Sequence, residues 1–138
     1  MSNTEQNRTA ARAVFEVWST GELDRLDGIV APRVIHHDPY DPNAAAGLAG
    51  MKRTIEEARS RSPGLKLEVL DQITEGEKVA TRWIASMTHE GKRVTLAGIT
   101  IDRFEGGKIV EAWRCMDRLG FLRQTGSIDR KRQARPLP

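Results

Sequence analysis

Three glycine turns divide residues 65–117 into four alternating segments, a pattern that admits little besides an antiparallel sheet. Leu65–Ile73 sets Leu65, Leu67 and Val69 on one face, and Val79–His89, Val94–Phe104 and Ile109–Asp117 follow. The joints Glu75-Gly76-Glu77, Glu90-Gly91-Lys92 and Glu105-Gly106-Gly107 are short enough to connect neighbouring strands as hairpins. The residues before this meander follow a helical period instead. Ala11, Val14, Phe15 and Trp18 fall on one stripe of a helix over 4–20, stopped by Gly21. A second, short helix is expected over 22–31, with Leu23, Leu26, Ile29 and Val30 facing inward until Pro32 interrupts it. Arg33–His37 reads as a short strand, and the prolines and Asx residues of Asp38–Asn43 as a loop. A third helix is expected over 47–61, through Leu48, Met51, Ile55 and Ala58, closed by Ser62-Pro63-Gly64. Helices followed by a meander predict an α+β fold, with helices packed on one face of a curved, mainly antiparallel sheet. Such a sheet curls into a cone whose interior suits a small molecule.

A chain of 138 residues, 38% of them hydrophobic, fits one compact domain with its own core. The expected domain covers residues 1–126. Residues 127–138 read as a solvated basic tail, because Arg130, Lys131, Arg132 and Arg135 against Asp129 account for the whole net charge of +3. A neutral body is not the footprint of a nucleic-acid-binding domain. No apolar run is long enough to span a membrane, and the N-terminus lacks the pattern of a secretory signal. With Cys115 as the single cysteine, internal disulfides are excluded and a cytoplasmic location is expected. The alternation puts Arg82, Ile84, Ile99, Ile101 and Val110 on the outer sheet face. That face is too apolar to be solvated, so a homodimer or homotetramer is expected.

The chemistry-bearing candidates follow from parity. Trp113, Cys115 and Asp117 share one face of the last strand, expected to be buried; an acid there is costly unless paired or used. Desolvation would raise its pKa and suit it to general acid/base work, and the alternative is a cap on the following turn. Cys115 reads as a buried free thiol. Asp102 shares the parity of Thr100 and Phe104; it either joins Asp117 in the pocket or forms a surface ion pair with Arg82, Arg103 or Arg114. His36 and His37 point to opposite faces of their strand, and His37 lies at its exit. His89 closes the second long strand on the face of Trp83 and Met87. His37 and His89 are candidates for polarising a carbonyl or moving a proton, against the alternative of packing or capping. Phe15, Trp18, Trp83 and Trp113 are candidate pocket walls. No His or Cys spacing suggests a metal, and the motifs for nucleotides, flavins or a serine nucleophile are absent, so no cofactor is expected.

His37-Asp38-Pro39, Gly47-Leu48-Ala49-Gly50, Glu75–Ala80, Thr88-His89, Phe104–Trp113, Asp117 and Leu119–Gln124 occur in an order and spacing that resemble the SnoaL-like polyketide cyclases of the nuclear-transport-factor-2-like superfamily. The resemblance covers the chain to about residue 126. It implies an α+β barrel and, without metal or Schiff base, intramolecular aldol cyclisation of an aromatic polyketide of the anthracycline type. It also implies that Asp117 is the acid/base. Only Glu90-Gly91-Lys92-Arg93 follows His89, where typical family cyclases carry a longer hairpin. Some relatives are similar to cofactor-independent hydroxylases of aromatic polyketides, for which Asp102 and Asp117 would form the acid pair. Limonene-epoxide-hydrolase-like relatives place an arginine where Thr100 stands, and ketosteroid isomerases place a tyrosine in the first helix, whereas the single tyrosine here is Tyr40. A non-catalytic binding or dimerisation module is the remaining alternative.

Overall fold

The computed structural model describes residues 3–40 and 46–126. The expected tail 127–138 and the second half of the Asp38–Asn43 loop therefore lie outside the described residues. The elements run α1 (Asn3–Thr20), a 3-10 helix (Leu23–Gly28), β1 (Val30–His37), α2 (Gly47–Arg61), β2 (Lys66–Glu75), β3 (Lys78–His89), β4 (Lys92–Glu105), β5 (Lys108–Met116) and α3 (Arg118–Gln124). The five strands form one sheet in the order β1-β5-β4-β3-β2. Strands β2 to β5 are the antiparallel meander, and β1 adds to its edge parallel to β5.

Two expected elements differ. The second helix ends at Gly28, and Val30 begins β1, where it pairs with Ile109. Pro32 sits within β1, which an edge strand tolerates because its missing N–H has no ladder to break. After β5, the residues from Arg118 form a short helix where only a turn was expected.

The helices all lie against the concave face. α1 packs on β2 and β3, α2 on β1, and α3 on β4. α1 has no basic residue in its last turn. Arg59 of α2 supplies one, donating to the carbonyls of Trp18 at 2.9 Å and Ser19 at 2.6 Å. This satisfies orphan carbonyls and fixes the two helices to each other. The narrow end of the cone is solid: Phe104, Leu26, Ile55, Ile109, Val17, Val30 and Val79 are fully buried there. A second apolar cluster, around Phe15, Trp83, Ala85, Met87 and Val94, surrounds the wide end.

Strand β5 carries a bulge. Phe104 pairs with Ile109 but Arg103 pairs with Glu111, leaving Val110 as the extra residue. Because side chains alternate with a period of two, one inserted residue exchanges the faces of everything beyond it. Ile109 points inward, but past the bulge Ala112, Arg114 and Met116 do so, opposite Asp102, Thr100 and Gly98. Trp113 and Cys115 therefore lie on the outer face, opposite Ile101 and Ile99, and Cys115 is exposed rather than buried.

Candidate functional site

The wide end of the cone holds a cavity of about 270 Å³. Phe15 and Trp18 of α1, Ala58 and Arg61 of α2, and Phe121 of α3 line it from one side. From the sheet come Leu67, Trp83, Ala85, Met87, Leu96, Arg114 and Met116, with Leu65 just before β2. Trp83 is seated by a glycine: a Cβ at Gly98 would stand 2.3 Å from the indole. Its Nε1 donates to the Thr100 hydroxyl at 3.0 Å, and its ring lies 6.1 Å from that of Phe15. Phe15, Trp18 and Trp83 thus stand in the cavity wall. Trp113 does not. It stacks on His37 on the outer face, with ring centroids 5.2 Å apart, and Lys78 Nζ lies 5.4 Å from its ring.

The inward row next to Thr100 and Arg114 contains Asp102, which is 5% exposed. None of the expected arginines reaches it. Arg82 pairs with Asp71, Arg103 with Glu105 and Glu111, and Arg114 with Asp38. Among the described residues Asp102 has no ion-pair or hydrogen-bond partner, and burial alone pushes its carboxyl up to about 7. A buried, unpaired carboxyl that changes charge near neutrality is suited to taking and returning a proton.

Asp117 stands elsewhere. It follows the last residue of β5, is exposed, and caps α3: its Oδ1 accepts from the Gly120 N–H at 3.0 Å. Gly120 makes this possible, since a Cβ there would lie 2.3 Å from Asp117 Oδ2. The cap holds α3, and with it Phe121, at the rim of the cavity. Asp117 and Asp102 are not brought together as a pair.

The histidines also sort by face. His37 aligns with Trp113 on the outer face, its Nε2 2.8 Å from Glu111 Oε2. This hydrogen bond, and Arg103 after it, hold Glu111 below the usual carboxylate range. His89 has the parity of Met87 but sits exposed at the hairpin tip, away from the cavity. His36 is the histidine on the inner face, aligned with Ala112. It remains partly open to solvent, yet desolvation and then the nearby Arg114 cation hold it below its ordinary value. Among the described residues no three His, Cys, Asp or Glu side chains gather as a metal site requires, and no helix is long and apolar enough to cross a membrane.

Arg114 and Asp38 were not singled out as site residues from the sequence. The signal was partial: Arg114 lies between Trp113 and Cys115, and only the bulge at Val110 decides which of them enters the cone.

The sequence profile of the SnoaL-like polyketide cyclases matches residues 8–125. Among solved structures, TsrD from Streptomyces laurentii is 25% identical, with 90% of this chain and 97% of that one covered and a TM-score of 0.79. A provisionally assigned polyketide cyclase from Bacillus cereus is 27% identical, covering 90% of this chain and 83% of that one, with a TM-score of 0.82. AclR from Streptomyces galilaeus, provisionally assigned as a hydroxylase, shares the fold at 22% identity and a TM-score of 0.78, over 91% of this chain and 88% of that one. Among curated proteins none matches the chain.

The state of Asp102 has a measurable consequence. A carboxyl raised from 3.8 to about 7 is protonated in both folded and unfolded chains below about pH 4 and ionised in both above about pH 7. Between these limits only the folded chain holds the proton, so stability falls as pH rises, by on the order of 4 kcal/mol in full. Asp102→Asn should therefore gain stability over the parent progressively between about pH 4 and 7. Thermal melts across that range check this; a difference that stays constant with pH would refute the unpaired, buried state.

Proposed function

Given that the chain belongs to the SnoaL-like polyketide cyclase family, we propose that it performs cofactor-independent acid/base chemistry on an aromatic polyketide, closing a ring by intramolecular aldol condensation. The observation that carries this reading is the unpaired carboxyl of Asp102, buried one inward row from the cavity-lining Arg114. The apolar walls hold a flat ring system, and the carboxylate removes a proton from a carbon activated by a neighbouring carbonyl. The enolate, delocalised into the aromatic system, attacks a carbonyl of the same molecule. The protonated carboxyl is then available to return its proton to the new alkoxide. Asp117 takes the role of rim residue in this scheme, holding α3 through its cap.

The second reading is a hydroxylase whose substrate carbanion reacts directly with dioxygen. The short β3–β4 turn favours it, because Glu90 and Gly91 alone separate the strands and leave that rim low. A non-catalytic binding module is the third reading; the open cavity argues against a plugged cone.

Proton removal can be followed without the natural substrate, as deuterium exchange at the activated methylene of an aromatic β-keto ester. Asp102→Asn should slow enzyme-dependent exchange by about 10²- to 10⁴-fold, the usual worth of a general base, while Asp117→Asn should have a much smaller effect. The reverse ranking would move the base to Asp117, and exchange by neither parent nor variants would favour the binding module. Dioxygen consumption during turnover would select the hydroxylase.

The partner we propose for the outer face is a second copy of the chain. Ile99 is 48% and Ile101 37% exposed there, beside Trp113, Cys115 and the half-buried Ile84. Sedimentation should give a dimer or tetramer, dissociated by Ile99→Asp with Ile101→Asp; a parent monomer would contradict it.

A further inference from the structure

Arg114 is the one cation that the sheet places in the cavity wall, and nothing in the acid/base scheme uses it. Its side chain is 27% exposed and its ring neighbour is Trp18, at 5.9 Å. It is paired with Asp38, whose side chain is only 9% exposed, through a single Nη2 contact. A guanidinium carries five N–H donors. Among the described residues the others on Arg114 are given no protein acceptor, and on a side chain that lines the cavity and is partly exposed they stay open to an incoming ligand. An ion pair that served only to join β1 to β5 would gain nothing from facing a void. Nor is the pair needed to close the strand end: Tyr40 already ties the loop down, its hydroxyl donating to the Met116 carbonyl at 2.8 Å and its N–H to Asp38 Oδ1 at 2.9 Å.

We propose that Arg114 is the anchor for an ionised carboxylate carried by the aromatic substrate, and that Asp38 holds the guanidinium in place for it. This deepens the acid/base reading and rests on the same cavity, but concerns which molecules enter rather than what happens to them. The ring system would lie among Phe15, Trp18 and Trp83, with its carboxylate at the Arg114 edge. The other charged or titratable groups facing this edge are Asp38 and His36. Glu57 and Arg61 of α2 also line the cavity and pair with each other at 3.4 Å. Asp38 competes with the incoming carboxylate for the same cation, so it tempers affinity while fixing geometry. Arginine suits the task because its planar fork matches a carboxylate, which a lysine point charge does not.

The test is binding without turnover, which leaves it independent of Asp102. Quenching of tryptophan fluorescence reports occupancy, since Trp18 and Trp83 line the cavity. The parent should bind 2-naphthoate more tightly than methyl 2-naphthoate by roughly 10- to 100-fold, as expected for hydrogen bonds to a charged group. Arg114→Gln alone would leave the Asp38 carboxylate without its counter-charge, with only the Tyr40 N–H on it, and could fail to fold. The paired Asp38→Asn, Arg114→Gln variant removes both charges and should bind the two compounds equally. Asp38→Asn alone should tighten naphthoate binding by freeing the guanidinium. Equal binding of acid and ester by the parent, preference retained by the paired variant, or naphthoate binding unchanged or weakened in Asp38→Asn would each overturn the assignment. A parent that catalyses the exchange yet shows no preference for the acid would refute the anchor and leave the proposed reaction standing.

Discussion

The arrangement of the site depends on one residue too many in β5. Val110 has no partner across the sheet, so Phe104 still meets Ile109 while Asp102 meets Ala112. Without that bulge, Trp113, Cys115 and Asp117 would continue the inward row begun by Ile109, and Arg114 would lie outside. With it, a small residue, Ala112, stands beside Asp102, and a guanidinium stands one row nearer the cavity. Bulges of this kind re-aim side chains next to functional sites. The displaced aromatic is not idle: Trp113 stacks on His37 at the outer face, next to the Glu111–Arg103 pair.

A second constraint shapes the boundary between the acid's row and the cavity. Trp83 occupies the room left by Gly98 and donates to Thr100, the inward neighbour of Asp102 on β4. The tryptophan therefore lines the cavity while its polar end reaches toward the acid's row. Burial of the carboxyl in this row is what raises its pKa. A protein stable by a small margin tolerates such a destabilising group where something other than stability is served. That is the physical basis for preferring Asp102 to the solvated, capping Asp117.

The fold was largely legible in the sequence. Glycine turns and alternation located four strands within a few residues, and apolar stripes located α1 and α2. The second helix was overextended because Ile29 and Val30 continue its apolar period, whereas Val30 belongs to a strand paired with Ile109. The site was legible only in part. Phe15, Trp18 and Trp83 were readable as walls because their elements are regular up to those positions. Trp113 was misplaced because parity was carried through β5 unbroken, and a bulge leaves little trace in residue type. Asp117 was read as buried for the same reason; its cap depends on α3, a helix too short to announce itself by period. His36 and His37 could be told apart only once β1 was known to run parallel to β5.

The central claim is that Asp102 is a buried, unpaired carboxyl able to exchange its proton near neutrality. Carbon-13 NMR of the aspartate side-chain carboxyls, followed through a pH titration, measures this without a substrate. The account predicts one resonance with a midpoint near 7 that is missing from the spectrum of Asp102→Asn. A titration in which every aspartate has its midpoint near 4, the ordinary range for this side chain, would contradict it.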